Sequence, residues 1–174
     1  MKKLLIMVTA FFAITAVIGF TKPVKAAEKS AQTTICIIFD DGVNSSLTAR
    51  QAKSQTDLSN WMDKDLVRVF ARYAKSGYQA KLIEKRSDFT SGPNDYLLNV
   101  KITEYLPGSK AARIIVGYGA GGVTLKIHYE LFADGTRSIL NKDDSTYSGR
   151  EWINAARKLN QNIAEAVTAK IGVK

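Results

Sequence analysis

Few residues in this chain are of the types that catalyse reactions or bind metals. His128 is the only histidine and Cys36 is the only cysteine. A zinc site usually needs several histidine or cysteine ligands. A Ser-His-Asp triad would need His128 as its base, and no serine has the sequence context of a catalytic nucleophile. We therefore interpret His128 as an exposed residue on the polar face of a strand and Cys36 as a small buried apolar residue, and we expect neither a metal nor a cofactor.

One pair of carboxylates stands at the end of a strand-like segment. Asp40 and Asp41 follow a β-branched apolar run over 33–39 and precede Gly42. Catalytic carboxylates often occupy such a position, but aspartate side chains also bond their own backbone in turns there. We favour the turn. The alternative is a small periplasmic hydrolase or transferase that uses Asp40 or Asp41 beside Arg113.

The other acidic pairs have no calcium-loop spacing. Asp63 and Asp65 are expected early in a helix, where carboxylates interact favourably with the helix dipole. Asp143-Asp144 is placed on the polar arm of a hairpin. Trp61 and Trp152 fall on apolar helix stripes and are expected to pack in the core.

A glycine-rich segment is the most unusual feature of the chain. It runs from Arg113 to Gly122 and would resemble a phosphate-binding loop only if a helix followed it, whereas Val123 opens a strand pattern. In an extended segment alternate glycines share one face, which permits a tight bend or the close approach of a partner. Both interpretations stay open. Under the second, the candidate partner-binding residues are Arg113, Gly117, Tyr118, Gly119, Gly121 and Gly122.

At this segment the chain resembles a family of uncharacterised bacterial envelope proteins, classed as a domain of unknown function and often lipoproteins. The matching stretches are 96–105, Pro107-Gly108, Ala112-Arg113, Gly117–Gly121 and the strand 123–131 with the Asp134-Gly135 that follows it. The resemblance implies a β-α-β sheet domain like those of other envelope accessory proteins. It supplies no catalytic residues, and this chain lacks the lipidation cysteine of many members.

The periodicity of apolar residues predicts an α+β fold. Alternation predicts strands and a period of three to four predicts amphipathic helices. The expected order is β-α-β-β-β-β-β-α, with a mostly antiparallel sheet of about five or six strands and two helices packed on one face. The predicted strands cover 33–39, 78–86, 96–106, 111–116, 123–133 and 136–147, and the predicted helices cover 57–76 and 148–171.

Local signals mark several ends of these elements. Asp134-Gly135 predicts a hairpin turn. Ser148 and Glu151 have the spacing of a capping box, which predicts that the second helix begins at Ser148. Gly172 is expected to end that helix.

The first 26 residues have the layout of a secretory signal peptide. Two lysines precede an apolar run from Leu4 to Phe20, and Val24-Lys25-Ala26 forms a plausible cleavage site. Residues 27–174 then form one domain, exported to the periplasm of a Gram-negative envelope and soluble, with no integral membrane segment. The signal carries four of the 25 Lys and Arg residues, so the net charge falls from +9 to +5 on cleavage. This modest, scattered excess does not indicate nucleic-acid binding.

These observations favour a non-enzymatic periplasmic binding or assembly module whose partner is an envelope protein or polymer. The alternatives are the hydrolase or transferase described above and a binder of anionic lipid or glycan that uses the positive charge.

Overall fold

A computed structural model describes residues 32–43, 47–72, 77–108, 121–149 and 151–172. The predicted signal peptide at 1–26 and the predicted strand at 111–116 lie outside this part of the chain. Within it the helices and strands follow one another in this order: β1 (Thr33–Asp40), α1 (Ala49–Ala71), β2 (Tyr78–Leu82), β3 (Asp95–Leu106), β4 (Val123–Ala133), β5 (Arg137–Ser148) and α2 (Trp152–Ile171).

The strands form one five-stranded sheet in the order β2-β1-β3-β4-β5. β1 lies in parallel between β2 and β3, while β3, β4 and β5 form an antiparallel meander. The antiparallel ladders are the longer ones, because β3, β4 and β5 have 11 or 12 residues each and β2 has five. The predicted α+β class is confirmed.

Both helices pack on the same face of the sheet, as predicted. Alternate residues of the strands point toward them, for example Ile37 on β1, Val100 on β3 and Ile127 on β4, and all are buried. They form one apolar core with Leu66 of α1 and Leu159 of α2. Each buried leucine or isoleucine contributes about 1.5–3 kcal/mol relative to an exposed one, so this layer provides most of the stability.

In the described part of the chain, the opposite face is covered only at one end. There Cys36, Leu97 and Phe132 form a small second cluster beneath the connection from β2 to β3, which contributes Ile83 and Phe89. The guanidinium of Arg86, in the same connection, lies 4.4 Å from the centre of the Phe132 ring. Cys36 is 2% exposed, so the prediction of a buried cysteine is confirmed.

The apolar stripe alone predicted that the first helix begins at residue 57. In the structure it begins at Ala49. Thr48 is its N-cap, and Thr48 and Gln51 form a capping box. The polar residues that follow are good helix formers, so polarity did not indicate a loop here. Asp63 and Asp65 consequently lie in the second half of α1, and the prediction that they interact with the dipole at its N-terminus is wrong.

The second helix begins at Trp152, with Glu151 as N-cap and no side-chain cap. The predicted capping box is therefore wrong, because Ser148 is the last residue of β5. The Ser148 hydroxyl nevertheless accepts a hydrogen bond from the backbone N–H of Glu151, at 3.3 Å. Gly172 ends the helix with φ +74°, as predicted.

The two helices contact each other through polar and aromatic side chains. Asn160 of α2 is fully buried, and its Nδ2 donates to the backbone oxygen of Met62 at 2.9 Å and to Oδ2 of Asp65 at 3.0 Å. Near the start of α2, the Trp152 and Trp61 rings pack edge to face at 5.7 Å. Both tryptophans pack against the core, as predicted.

Candidate functional site

On the side of the sheet away from the helices, the described residues leave β3, β4 and β5 uncovered beyond the small cluster of Cys36, Leu97 and Phe132. We call this surface the open face. At one end of it, Leu106 and Tyr147 lie in register with Thr124 and are exposed. The rest is formed by polar side chains, which alternate along β3 and β4 with buried ones and along β5 with the side chains on the helix side. These are Lys101, Thr103 and Glu104 of β3, Lys126, His128 and Glu130 of β4, and Asn141, Asp143 and Ser145 of β5. All nine are exposed or half-buried. His128 thus lies on the polar face of its strand, as predicted.

A β-bulge in β3 creates the first ion pair of this face. The register between β3 and β4 shifts between Ile102 and Glu104, which leaves Thr103 as the extra residue and places Glu104 opposite Lys126. Nζ of Lys126 lies 2.7 Å from Oε2 of Glu104. Because a bulge leaves two residues opposite one, Thr103 and Glu104 both border Lys126.

A second register shift, in β5, creates the other pair. The ladder between β4 and β5 shifts by one residue beside Leu131, and Asp143 consequently lies opposite His128. Nδ1 of His128 is 2.9 Å from Oδ1 of Asp143. The Asp143 side chain is 84% exposed and the His128 side chain 36% exposed, so the pair lies at the surface, where a ligand could reach it.

Between these two pairs the open face contains a shallow groove of about 300 Å³. Thr103, Lys126, Asp143 and Ser145 contribute to its lining. These side chains offer an ammonium group, a carboxylate and two hydroxyls, which together donate and accept hydrogen bonds. The arrangement suits the recognition of a polar surface.

Asp40 and Asp41 form the predicted turn, which is confirmed. Oδ1 of Asp40 accepts the backbone N–H of Gly42 at 2.9 Å, and Oδ1 of Asp41 accepts that of Val43 at 3.1 Å. The bond from Gly42, followed by the ion pair with Lys101 at 3.0 Å, lowers the pKa of Asp40 despite partial burial.

Asp41 also holds the start of α1 in place. Its Oδ2 accepts the hydroxyl of Thr56 at 3.2 Å, and its backbone oxygen accepts Nε2 of Gln55. Both carboxylates thus have structural contacts that explain their presence. Arg113, which the alternative enzymatic interpretation placed beside them, lies outside the described residues.

Most of the glycine-rich segment also lies outside the described residues, including Gly117, Tyr118 and Gly119. Gly121 has φ +67°, which at this position fits the tight bend rather than the extended alternative. Gly122 lies against the Tyr147 ring, which occupies the space that a Cβ at Gly122 would need. Both positions thus have an intramolecular reason to be glycine.

The ends of the connection between β3 and β4 meet closely. Gly108 has φ +63°, and a Cβ there would collide with the backbone oxygens of Gly121 and Gly122. This contact brings the segment back to the sheet beside Leu106 and Tyr147, the most exposed large apolar side chains of the described chain.

The pairing of His128 with Asp143 was not predicted from the sequence. Each residue was correctly predicted to lie on a strand, but alternation alone does not reveal which residues of two strands face each other. The hairpin turn at Asp134-Gly135, where both residues have positive φ, sets the register only as far as Phe132 and Ser138. The bulge that follows it left no clear mark in the sequence.

Two features are absent from the described part of the chain. It contains no group of three or more His, Cys, Asp or Glu side chains arranged to hold a metal ion. It also contains no helix that is long and apolar enough to cross a membrane.

A family model for a domain of unknown function, DUF4410, matches residues 23–173. The chain belongs to this family. The expected resemblance to a family of uncharacterised domains is thus confirmed, while the segment from Arg113 to Gly121 as its distinctive motif stays a prediction. In a comparison with curated proteins, none matches the chain.

Among the solved structures that are similar to the chain, three illustrate the low identity. A variant of PelC from Paraburkholderia phytofirmans, a dodecamer, is 8% identical, with 81% of this chain and 89% of that chain covered and a TM-score of 0.47. A second PelC dodecamer from that organism is 8% identical, with coverages of 83% and 89% and a TM-score of 0.45. The uncharacterised lipoprotein B from Nitrosomonas europaea is 9% identical, with coverages of 79% and 83% and a TM-score of 0.33.

Proposed function

We propose that this protein is an exported, non-enzymatic binding or assembly module of the cell envelope, and that the open face is its contact surface. The observation that carries the proposal is the asymmetry of the sheet. Two helices bury one face, and the connection from β2 to β3 covers one end of the other. Within the described residues, the remaining surface of β3, β4 and β5 presents mostly polar side chains, which two register shifts set opposite one another, and Leu106 and Tyr147 are exposed at its far end.

The charges of the open face indicate the kind of partner. The positive charges of Lys101 and Lys126 are offset by the negative charges of Glu104, Glu130 and Asp143, and His128 adds an imidazole, so the face has no strong excess of either sign. An anionic membrane or polyanion would require a positive patch. A balanced surface with hydroxyls and an amide instead fits a protein or polymer that offers both donors and acceptors. The open face therefore favours an envelope protein or a mixed polar polymer over anionic lipid.

The glycine-rich segment has a supporting place in this proposal. It leaves the sheet after Leu106 and returns at Gly121, at the end of the strands that form the open face. Arg113, Gly117, Tyr118 and Gly119 are proposed as additional partner-binding residues. Gly121 and Gly122 are assigned the structural role of bringing the chain back to β4.

A charge exchange on the open face tests the proposal. The double variant Lys126→Glu/Asp143→Lys keeps the net charge but exchanges the positive and the negative side chain that line the groove. A matched control, Lys53→Glu/Asp57→Lys, makes the same exchange on exposed residues of α1. Proteins and polymers are then captured from the envelope on each purified variant, after circular dichroism has shown that each is folded.

The expected result is that the parent and the α1 control retain the same partner and that the open-face variant loses it. Equal capture by all three proteins would show that the partner binds elsewhere. Consumption of a captured polymer by the parent protein would overturn the non-enzymatic part of the proposal.

Export itself is tested separately, by N-terminal sequencing of the protein from the periplasmic fraction. If residues 1–26 are removed on export, the exported form begins at Ala27. An intact Met1 in a membrane fraction would indicate a retained anchor instead.

A further inference from the structure

Within the described residues, β5 is the longer of the two edge strands of the sheet. β5 has 12 residues and pairs with β4 on one side, and no strand of the described chain pairs with its other side. β2, at the opposite edge, has only five residues. The outer N–H and C=O groups of an edge strand are a template for another strand.

Of the features that usually prevent such pairing, β5 has charged side chains and one register shift. It contains no proline, and its single register shift lies near its beginning, between the partners of Leu131 and Phe132. The stretch from Leu140 to Thr146 is therefore regular. Within it, the only charged side chains are Lys142, Asp143 and Asp144, and their order makes the strand complementary to itself.

We propose that β5 pairs with β5 of a second copy of this chain, antiparallel, with a two-fold axis at Asp143. If the helices of both copies lie on the same side of the joined sheet, each β5 side chain that points toward the helices must lie opposite a β5 side chain of the second copy that also points toward the helices. On β5 these are Leu140, Lys142, Asp144 and Thr146, whose partners on β4 are all buried. Lys142 then faces Asp144 of the second copy, and the symmetry produces this ion pair twice.

Neighbouring registers lack this complementarity. A two-fold axis at Lys142 places two lysines opposite each other and Leu140 opposite Asp144. A two-fold axis at Asp144 places two aspartates opposite each other on the helix side. Opposite charges across an antiparallel pair stabilise it and like charges destabilise it. Of these three registers, only the one centred on Asp143 thus places both Lys142 and Asp144 opposite a charge of the other sign.

This register has one unfavourable contact, between Asp143 and Asp143 of the second copy on the open face. Each of these carboxylates already has a partner in its own chain, because Nδ1 of His128 lies 2.9 Å away. The repulsion predicts that neutralising Asp143 strengthens the association. The pairing would join two five-stranded sheets into one and place both open faces on the same side. It does not depend on what binds the open face.

Charge exchange along β5 tests the pairing in the mature protein, by sedimentation equilibrium over a wide range of concentration. Lys142→Glu alone and Asp144→Lys alone should each weaken dimerisation by about tenfold or more, because each places two like-charged pairs across the axis. The combined variant Lys142→Glu/Asp144→Lys restores the opposite charges and should restore the dimer. Lys53→Glu, on α1, is the matched control and should leave the dimer unchanged.

A second measurement keeps the test valid if Asp144→Lys perturbs folding, since Asp144 also accepts Nδ2 of Asn162 at 2.9 Å. Facing residues of antiparallel strands have Cα separations of about 4.5–5.5 Å, within the range of a disulfide. Asp143→Cys should therefore form a disulfide dimer on mild oxidation, and Lys53→Cys should not. Asp143→Asn should tighten the dimer.

Three outcomes would overturn the proposal. The first is a parent protein that stays monomeric at every concentration and gives no cross-linked Asp143→Cys dimer. The second is a dimer that survives either single charge reversal in a folded variant. The third is a combined variant that is folded and remains monomeric.

Discussion

Asp143 faces His128 across the β4–β5 ladder because β5 contains one more residue than a regular hairpin would. Ala133 pairs with Arg137 beside the turn, whereas His128 pairs with Asp143. Without the register shift, Lys142 would lie opposite His128 and Asp143 would point toward the helices. The bulge therefore determines which charge of β5 reaches the open face.

We expect the His128–Asp143 pair to contribute little to folding. Exposed ion pairs are typically worth less than about 1 kcal/mol. His128→Ala, Asp143→Ala and the double variant should therefore change the free energy of unfolding in urea by less than that amount each. A coupling energy of several kcal/mol between them would show that the pair is a structural element rather than part of a contact surface.

The buried contact between the helices should, in contrast, be important for folding. Asn160→Ala removes both hydrogen bonds of Nδ2 and leaves the buried carboxylate of Asp65 without that donor. The expected loss is about 1–3 kcal/mol, the cost of an unsatisfied buried group. Asn154→Ala, at an exposed position of the same helix, is the control. Equal denaturation midpoints for the two variants would contradict this assignment.

From the raised pKa of Tyr129, we expect the protein to lose stability at alkaline pH. Burial, with a smaller contribution from Asp144, raises the pKa of its hydroxyl from 10.0 to about 12. The unfolded chain thus releases this proton at a lower pH than the folded chain does. The contribution of Tyr129 is fully present below pH 10 and is lost as the pH rises toward 12.

The size of this effect follows from the shift, at about 1.4 kcal/mol for each pKa unit. Tyr129→Phe should flatten the fall in unfolding free energy between pH 10 and 12. It should not destabilise the protein at pH 7, because within the described residues the hydroxyl has no hydrogen-bond partner to lose. An unchanged alkaline slope would show that the hydroxyl ionises in both states alike.

Gly108 should tolerate no side chain. Gly108→Ala combines a positive φ with a collision against the backbone oxygens of Gly121 and Gly122. Gly172→Ala has a similar φ, +74°, but a Cβ there meets no atom within 4 Å. The second variant should cost about 1–2 kcal/mol for the backbone conformation alone, and the first distinctly more. Equal losses would show that the backbones at Gly108 and Gly121 are not in close contact.

Much of the fold could be predicted from the sequence, because burial imposes a period on each element. Leu98, Val100 and Ile102 alternate with polar residues, and β3 lies where that alternation placed it. The start of α1 was missed because a capping box of Thr48 and Gln51 begins the helix before its apolar stripe does. Local polar contacts of this kind do not change the hydrophobic pattern.

The candidate site was less accessible to sequence reasoning. The side-chain types on the open face were predicted, including the exposed position of His128. Their pairing depends on two register shifts, at Thr103 and after Ser138, that no glycine or other clear signal marks. A bulge is a property of two strands together, and one strand's sequence does not specify it.

Site-specific photo-crosslinking in living cells tests most directly the claim that the open face is the contact surface. A photoreactive amino acid replaces Ser145, which lines the groove, or Lys53, which is exposed on α1. We predict that the Ser145 position yields a discrete cross-linked envelope component and that the Lys53 position does not. Cross-linking of the same component from Lys53 alone, or from both positions equally, would contradict the claim.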